Sequence, residues 1–428
     1  MDFAYENPEL EAAIANAGDI EALDKALVAV SRLVPSFVSP EVRGRQMFTP
    51  GLDAQVPRLA ARLRLADVPL AKSNDNVCIV ATRFYSTGGH SKVASDISRL
   101  AGADRTTIIF TDLYRELRPR QLIGGPPAAH PCRSLMLLSA GTVVEKVVEL
   151  YSLLAAIRPS RIFLIQNHMD MAAVAGVWPF RGVVEYVHHT DHQPGLGATL
   201  PFSAHVDLTY ACHRACAAAG LDPVWAGMTV PARGPPPPRG ATTRRGLRLA
   251  TCGSQYKYLH AARHRWSDFA AAALAEAPDS EIFHFGPVDE ALTRSVHGPL
   301  AEAGIDPARY RFLGPVPDLR EALVAHGVDA YLGSYPDSGG RAVLEAMAAG
   351  LAPLVPIPEE TGPLLQFDLA LPYWVRLHTP DEIPAAIARG LELSEALRSP
   401  QGQADLDAEF SRFETYVRDG AAAVGGAR

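Results

Sequence analysis

Four consecutive prolines, Pro235–Pro238, stand inside the tract Pro231–Arg245 (PARGPPPPRGATTRR), a little past the midpoint of a 428-residue chain. Proline fixes φ and has no backbone N–H, so neither a helix nor a central strand can run through such a tract, and an extended linker is expected there. The tract matters because one pattern stands on both of its sides. Before it, short β-branched or apolar runs (Val77–Ala81, Thr106–Phe110, Leu135–Leu138, Arg161–Ile165, Val183–His188, Val206–Tyr210) alternate with helical periodicities such as His90–Leu100 and Val143–Ile157. After it the alternation restarts: Leu247–Thr251, Tyr258–Ala277, Glu281–Phe285, Leu292–Ala303, Tyr310–Leu313, Leu319–His326, Ala330–Leu332, Arg341–Ala349, Ala352–Val355. Strands alternating with helices imply a parallel sheet covered on both faces, so the expected fold class is α/β, with two doubly wound Rossmann-like halves.

Length agrees with two cores, since single domains run about 100–200 residues. The expected partition is an N-terminal helical extension over 1–70, where apolar residues recur at three and four spacing; a first α/β domain over 71–230; the Pro/Arg-rich linker over 231–246; a second α/β domain over 247–383; and C-terminal helices and tail over 384–428. The longest apolar runs fall short of the roughly 18 residues a membrane span needs, and the first eleven residues carry acids where a secretory signal has a basic end. A cytoplasmic location is therefore expected. Arg233–Arg245 reads as a solvated linker first and as a contact with the inner, anionic face of a membrane second.

With 40 basic against 47 acidic residues, the formal charge of −7 disfavours nucleic-acid binding, which draws its affinity from neutralised phosphates. Five cysteines (Cys78, Cys132, Cys212, Cys216, Cys252) include no CxxC pair. Cys212 and Cys216 fall on one helical face if 209–219 is a helix, and they read as small core residues. No metal and no cofactor are expected.

Four segments carry chemistry. Thr87-Gly88-Gly89-His90-Ser91-Lys92 follows a strand-like run and opens a helix-like one. The glycine pair Gly88-Gly89 lets backbone N–H groups approach an anion or sugar, with His90 beside it. Neither GxGxxG nor GxxxxGK[ST] spacing is present, which leaves a dinucleotide oxidoreductase and an NTPase without support. Glu185–Gly197 places His188, His189, Asp191 and His192 at a strand exit, where crevices of parallel sheets open. Thr251–Lys257 puts Ser254 and Lys257 at another strand exit, a point charge among small residues suited to a diphosphate. The fourth and most specific runs from Tyr335 to Val355 and contains Asp337, Ser338, Gly339, Gly340, Arg341 and Glu345. Its Gly-Gly turn opens a helix whose amides can bind a negative group, and Glu345, one turn in, can accept hydrogen bonds from ribose hydroxyls. Each segment has a bland alternative, respectively a tight turn, a hydrated loop, a solvated lysine and a helix-capping acid.

In this order, and above all through DSGGRAVLEAMAAG, the segments resemble GT-B glycosyltransferases of the family 4 type over about residues 76–420; Ser254-Gln255-Tyr256-Lys257-Tyr258 with Trp266 also looks like the lysine segment of family 41. The resemblance implies a GT-B architecture and a bacterial hexosyltransferase of polysaccharide biosynthesis. It implies a nucleotide sugar as partner, UDP-hexose or UDP-HexNAc before GDP-sugars, and a glycan, lipid-linked or protein acceptor. Lys257 would contact the diphosphate, Glu345 the ribose, and the Gly339–Ala342 amides the phosphate or sugar. Gly88-Gly89 would face donor and acceptor. Where family 4 places the earlier of two glutamates, this chain has Asp337, which leaves retention or inversion open. A GT-B site stabilises its leaving diphosphate with Lys/Arg and helix amides, so metal independence is expected. His189, Asp191 and His192 are the candidate catalytic groups. Two rivals remain: a non-catalytic nucleotide-sugar or glycan-binding protein of the same fold, and a metal-dependent hydrolase using His188–His192, which lacks one histidine of its motif because Val187 stands there.

Overall fold

The computed structural model describes residues 3–39, 41–68, 75–84, 89–115, 117, 130–189, 193–230, 236, 246–260, 262–359 and 368–424. Gly88, Asp191, His192 and all of the linker 231–246 except Pro236 and Gly246 lie outside the described residues. The chain divides into two units: Met1–Gly227 with Gly362–Leu364 and Arg412–Arg428, and Met228–Thr361 with Leu365–Ser411.

In the first unit the described strands are β1 (Val77–Ala81), β2 (Thr106–Phe110), β3 (Ser134–Leu137), β4 (Arg161–Leu164), β5 (Val184–His188), β6 (Ala204–Asp207) and β7 (Pro223–Trp225), in the sheet order β3-β2-β1-β4-β5-β6-β7. Every pairing is parallel. β1, β2 and β5 are buried along their whole length, as strands covered on both faces must be; β1 accordingly reads as a continuous apolar run, whereas β5 buries Glu185 against Arg161 and His188 against Asp207. The order reverses between β1 and β4, and in open α/β sheets ligand crevices form outside the carboxyl ends of strands at such a switch.

The N-terminal helices Pro8–Ala15, Ile20–Ser31 and Gln55–Arg62 belong to this unit's own core. Leu23, Leu27, Val30 and Phe37 share one apolar cluster with Val147, Leu150 and Leu154 of the helix Val143–Ile157. Asp24 also accepts from Val144 N at 3.0 Å, satisfying an amide of the first turn of that helix. Asp53 is buried and accepts from Gly197 N (2.6 Å), Thr199 N (3.0 Å) and Thr199 Oγ1 (2.6 Å), while Gly195 N donates to Met47 O at 3.0 Å. The first seventy residues thus fasten the far end of the loop that leaves β5.

The second unit has β8 (Arg248–Cys252), β9 (Glu281–Phe285), β10 (Tyr310–Gly314), β11 (Ala330–Leu332), β12 (Pro353–Pro356) and β13 (Val375–Leu377), in the order β10-β9-β8-β11-β12-β13, again all parallel. Its switch lies between β8 and β11.

Two sequence expectations are corrected. The single helix read over Tyr258–Ala277 is two, Tyr256–Leu259 and Trp266–Ala275, because Tyr258 turns inward to Thr251 (hydroxyls 3.0 Å apart) and the chain is extended at His260 and Arg265. The strand read over Val206–Tyr210 ends at Asp207, since Thr209 caps a helix, Tyr210–Ala218, by accepting from Cys212 N. The C-terminal segment is helical as read, over Ile383–Arg398 and Pro400–Asp419, and from Arg412 it belongs to the first unit, where Tyr416 donates to Glu185 and Arg161 holds Glu185 at 2.7 Å.

Candidate functional site

At the switch of the second unit, β8 runs into Gly253, Ser254 and the short helix Tyr256–Leu259, and β11 runs into Ser334–Gly339 and the helix Gly340–Ala348. The two segments are tied together. Asp337 N donates to Lys257 O at 3.4 Å, and His260 Nδ1 pairs with Asp337 Oδ2 at 2.5 Å. Lys257 Nζ reaches over the glycine turn so closely that a Cβ on Gly339 would stand 2.8 Å from it. The helix after Gly339 has no side chain capping its N-terminus. Ser338 Oγ, buried at the same turn, has no hydrogen-bond partner. A cation, an uncapped helix N-terminus and an unpaired hydroxyl therefore converge, and such a set suits a phosphate.

Behind this turn, Arg341 and Glu345, both buried, form an i,i+4 pair at 3.1 Å. The guanidinium fixes the Glu345 carboxylate in the first turns of the helix. The sequence considered Arg341 only for its backbone amide; the side chain holds Glu345 as well. Under the lysine segment, Trp266 Nε1 donates to Tyr310 OH (2.9 Å), Tyr310 OH lies 2.8 Å from His284 Nδ1, and His284 Nε2 lies 3.2 Å from Gly253 O. Burial lowers the His284 pKa to about 4, so the ring is neutral and donates through Nε2 to the loop carbonyl.

In the first unit, Gly89 and His90 open the helix Gly89–Ala101 after β1. His90 Nε2 lies 2.9 Å from Ile165 O beyond β4, so this nitrogen carries the proton and bridges the two strands of the switch. His189, directly after β5, likewise donates through Nε2 to Gln166 O, and its ring centroid is 4.6 Å from that of His90. In that tautomer Nδ1 of His189 carries the lone pair, the feature a general base needs. Burial, then the neighbouring His189, lowers the His90 pKa to about 3, and burial lowers that of His130 to about 4. Below them, Asp170 accepts from Thr82 Oγ1 (2.6 Å), Thr111 Oγ1 and Ala173 N (2.9 Å), while Lys146 donates to Thr111 O. This buried network fixes the ends of β1 and β2.

His188 and His189 do not act as one group. Alternation along an extended backbone sends neighbouring side chains to opposite faces. His188 is buried against Cys212, Cys216 and Asp207, whereas His189 turns to His90. Asp191 and His192, the other members of the segment that a hydrolase would use, lie outside the described residues. Sequence reading missed His260, His284, Asp170 and Lys146; His260 alone had a signal, its place three residues after Lys257.

No family model matches the sequence, and no curated protein is similar to it. Solved structures are similar in fold. HepE from Anabaena in complex with UDP-glucose is 13% identical with a TM-score of 0.53, the match covering 81% of this chain and 98% of that one. A glycosyltransferase from Rickettsia africae is 10% identical with a TM-score of 0.52, covering 80% and 99%. The chain has the two-unit α/β fold of the GT-B glycosyltransferases, two parallel sheets with flanking helices.

Proposed function

We propose that the chain is a glycosyltransferase of the hexosyltransferase class, taking its sugar from a nucleotide diphosphate donor. The observation that carries this reading is Lys257 Nζ poised over Gly339 at the uncapped start of the helix Gly340–Ala348. In the reaction the bond between the sugar C1 and the diphosphate oxygen breaks, and its electron pair leaves with the diphosphate. Lys257 and the amides of Gly340 and Arg341 stabilise that growing charge, and Ser338 and Gly339 line the same turn. Ser254 lies on the lysine side, and Glu345, held by Arg341, receives the ribose hydroxyls. The new bond joins C1 to an acceptor hydroxyl, whose proton is assigned to His189 through Nδ1, beside Gly89 and His90. The transfer step uses no metal.

HepE binds UDP-glucose, which favours a UDP-hexose as the donor to test first. The acceptor class is a glycan, lipid-linked or protein hydroxyl. No helix among the described residues is long and apolar enough to cross a membrane. The pairing of Asp337 with His260 favours one alternative, a nucleotide-sugar-binding protein without turnover, because it takes up the carboxylate that would otherwise meet the sugar.

The test is a thermal-shift screen against UDP, GDP, ADP, CMP and their sugar conjugates with and without EDTA, followed by detection of released UDP. An EDTA-insensitive shift with one nucleotide family, lost in Lys257→Ala, and release of UDP from UDP-hexose are expected. A shift without release would select the binding protein. No shift with any nucleotide would overturn the reading.

A further inference from the structure

Away from both switches, five side chains of the first unit aim their donor atoms at one buried point. His188 ends β5, His205 and Asp207 lie on β6, and Cys212 and Cys216 lie one turn apart on the helix Tyr210–Ala218. One ligand atom each from His188, Asp207, Cys212 and Cys216 fall within 4.8 Å of one another, and all four residues are buried. His188 Nδ1 is 3.4 Å from both Cys212 Sγ and Cys216 Sγ and 3.3 Å from Asp207 Oδ1. Asp207 Oδ1 is 3.3 Å from Cys212 Sγ and 3.5 Å from Cys216 Sγ. His205 Nε2 joins them at 3.1 Å from His188 Nδ1, 3.2 Å from Asp207 Oδ1 and 3.4 Å from Cys216 Sγ.

Hydrogen bonding explains this arrangement poorly. His188 Nδ1 has at most one proton, yet it stands at a similar distance from four acceptor-capable atoms. His205 Nδ1 lies 3.0 Å from Ala198 O, which makes it the protonated nitrogen and turns the lone pair of Nε2 into the cluster. A metal-ligating imidazole is oriented in the same way, by its second nitrogen donating to a carbonyl. Both thiols can donate to Asp207 Oδ1, but protons on single atoms leave the other converging lone pairs of nitrogen, oxygen and sulfur facing one another, whereas one cation among them satisfies all at once. The separations also fit one. Ligand bonds of about 2.0–2.3 Å at tetrahedral angles put neighbouring donors roughly 3.3–3.8 Å apart.

We propose that His188, Asp207, Cys212 and Cys216, with His205 packed beside them, form a site for one divalent cation of the zinc class. Two thiolates and an imidazole with a carboxylate are the donor chemistry that selects such an ion over magnesium or calcium. This revises the reading of Cys212 and Cys216 as core residues only. With every donor buried and supplied by protein, the site has no open position for substrate, so its role is structural. It clamps the end of β5 to β6 and to the following helix, directly before His189. The inference does not depend on glycosyl transfer, and a metal-free transfer step is compatible with it.

The full-length protein, reconstituted with excess zinc chloride under reducing conditions and desalted, is expected to retain about one zinc per chain by elemental analysis. Its zinc-edge absorption spectrum is expected to show sulfur ligands near ~2.3 Å and nitrogen or oxygen near ~2.0 Å. Cys212→Ser/Cys216→Ser should lose the bound zinc. Should that variant fail to fold, a mercurial thiol reagent added to wild-type protein should release one zinc to a colorimetric chelator. Less than a tenth of an equivalent after reconstitution would overturn the site. So would zinc retained in full by a folded double variant, or a spectrum without sulfur ligands.

Discussion

His260 Nδ1 stands 2.5 Å from Asp337 Oδ2, joining the segment that leaves β8 to the one that leaves β11. The pair is nearly buried on the Asp337 side, with 4% of that side chain exposed against 24% for His260. It therefore sets the spacing between Lys257 and the turn at Gly339. His260→Ala is expected to weaken nucleotide binding through misplacement of the turn, raising the donor KM more than it lowers kcat. Loss of a partly buried, charge-assisted contact costs about 1–3 kcal/mol. A KM-against-kcat split in the variant checks this, and an unchanged KM would refute the positioning role.

Lys257→Ala and Gly339→Ala approach the same contact from opposite ends. Removing the ammonium should weaken UDP binding by roughly 10- to 100-fold, the range for a charge-assisted hydrogen bond. At Gly339, φ is −111°, which alanine adopts without strain, but its Cβ would meet Lys257 Nζ at 2.8 Å and displace it. The glycine variant should keep its melting temperature and lose UDP affinity, as calorimetric titration would show.

His189→Ala should lower kcat by about 10²–10⁴, the usual contribution of a general base, and leave UDP binding intact. Single-turnover kinetics with bound donor separate the two effects; an unchanged rate would remove His189 from the chemistry.

Asp170→Ala would strand the hydroxyls of Thr82 and Thr111 and the amide of Ala173 in a buried setting. Burial raises the Asp170 pKa, hydrogen bonds oppose that shift, and the buried Lys146 lies in the same network. A loss of about 3–5 kcal/mol of stability is expected in urea unfolding, as for a broken buried network.

The His284 pKa, lowered by burial to about 4, gives a pH dependence whose sign is fixed. The unfolded ring takes up a proton near pH 6.5 and the folded one does not until about pH 4, so its contribution is complete above pH 6.5 and falls as pH drops through that window. The difference amounts to at most about 3 kcal/mol. Denaturant unfolding of wild type and His284→Gln at pH 7 and pH 4.5 should show a smaller pH loss in the variant. An equal loss would show that His284 does not carry it.

How much of this was legible in the sequence varied with the range of the interaction. Val77–Ala81 and Thr106–Phe110 appear in the fold with the expected bounds, because a run of apolar residues long enough to fill one buried strand is a local signal. The short strands Pro223–Trp225 and Val375–Leu377 were missed, having three residues each and little pattern to read. The turn at Gly339 and the helix after it were visible for the same local reason: glycines, then helical periodicity.

What the sequence determined by itself was therefore the alternation of strands with helices and the residue types placed at strand exits. Those depend on backbone sterics and on apolar spacing within a few residues. Only the tertiary structure decided the strand order, and with it which exits adjoin. It decided that Lys257 meets Gly339, 82 positions later, and that His260 meets Asp337. It likewise gathered His188 with Asp207, Cys212 and Cys216 rather than with His189. Parallel strands pair across long crossovers, so the partners of a side chain at a strand end are set by packing of distant segments and leave no local trace.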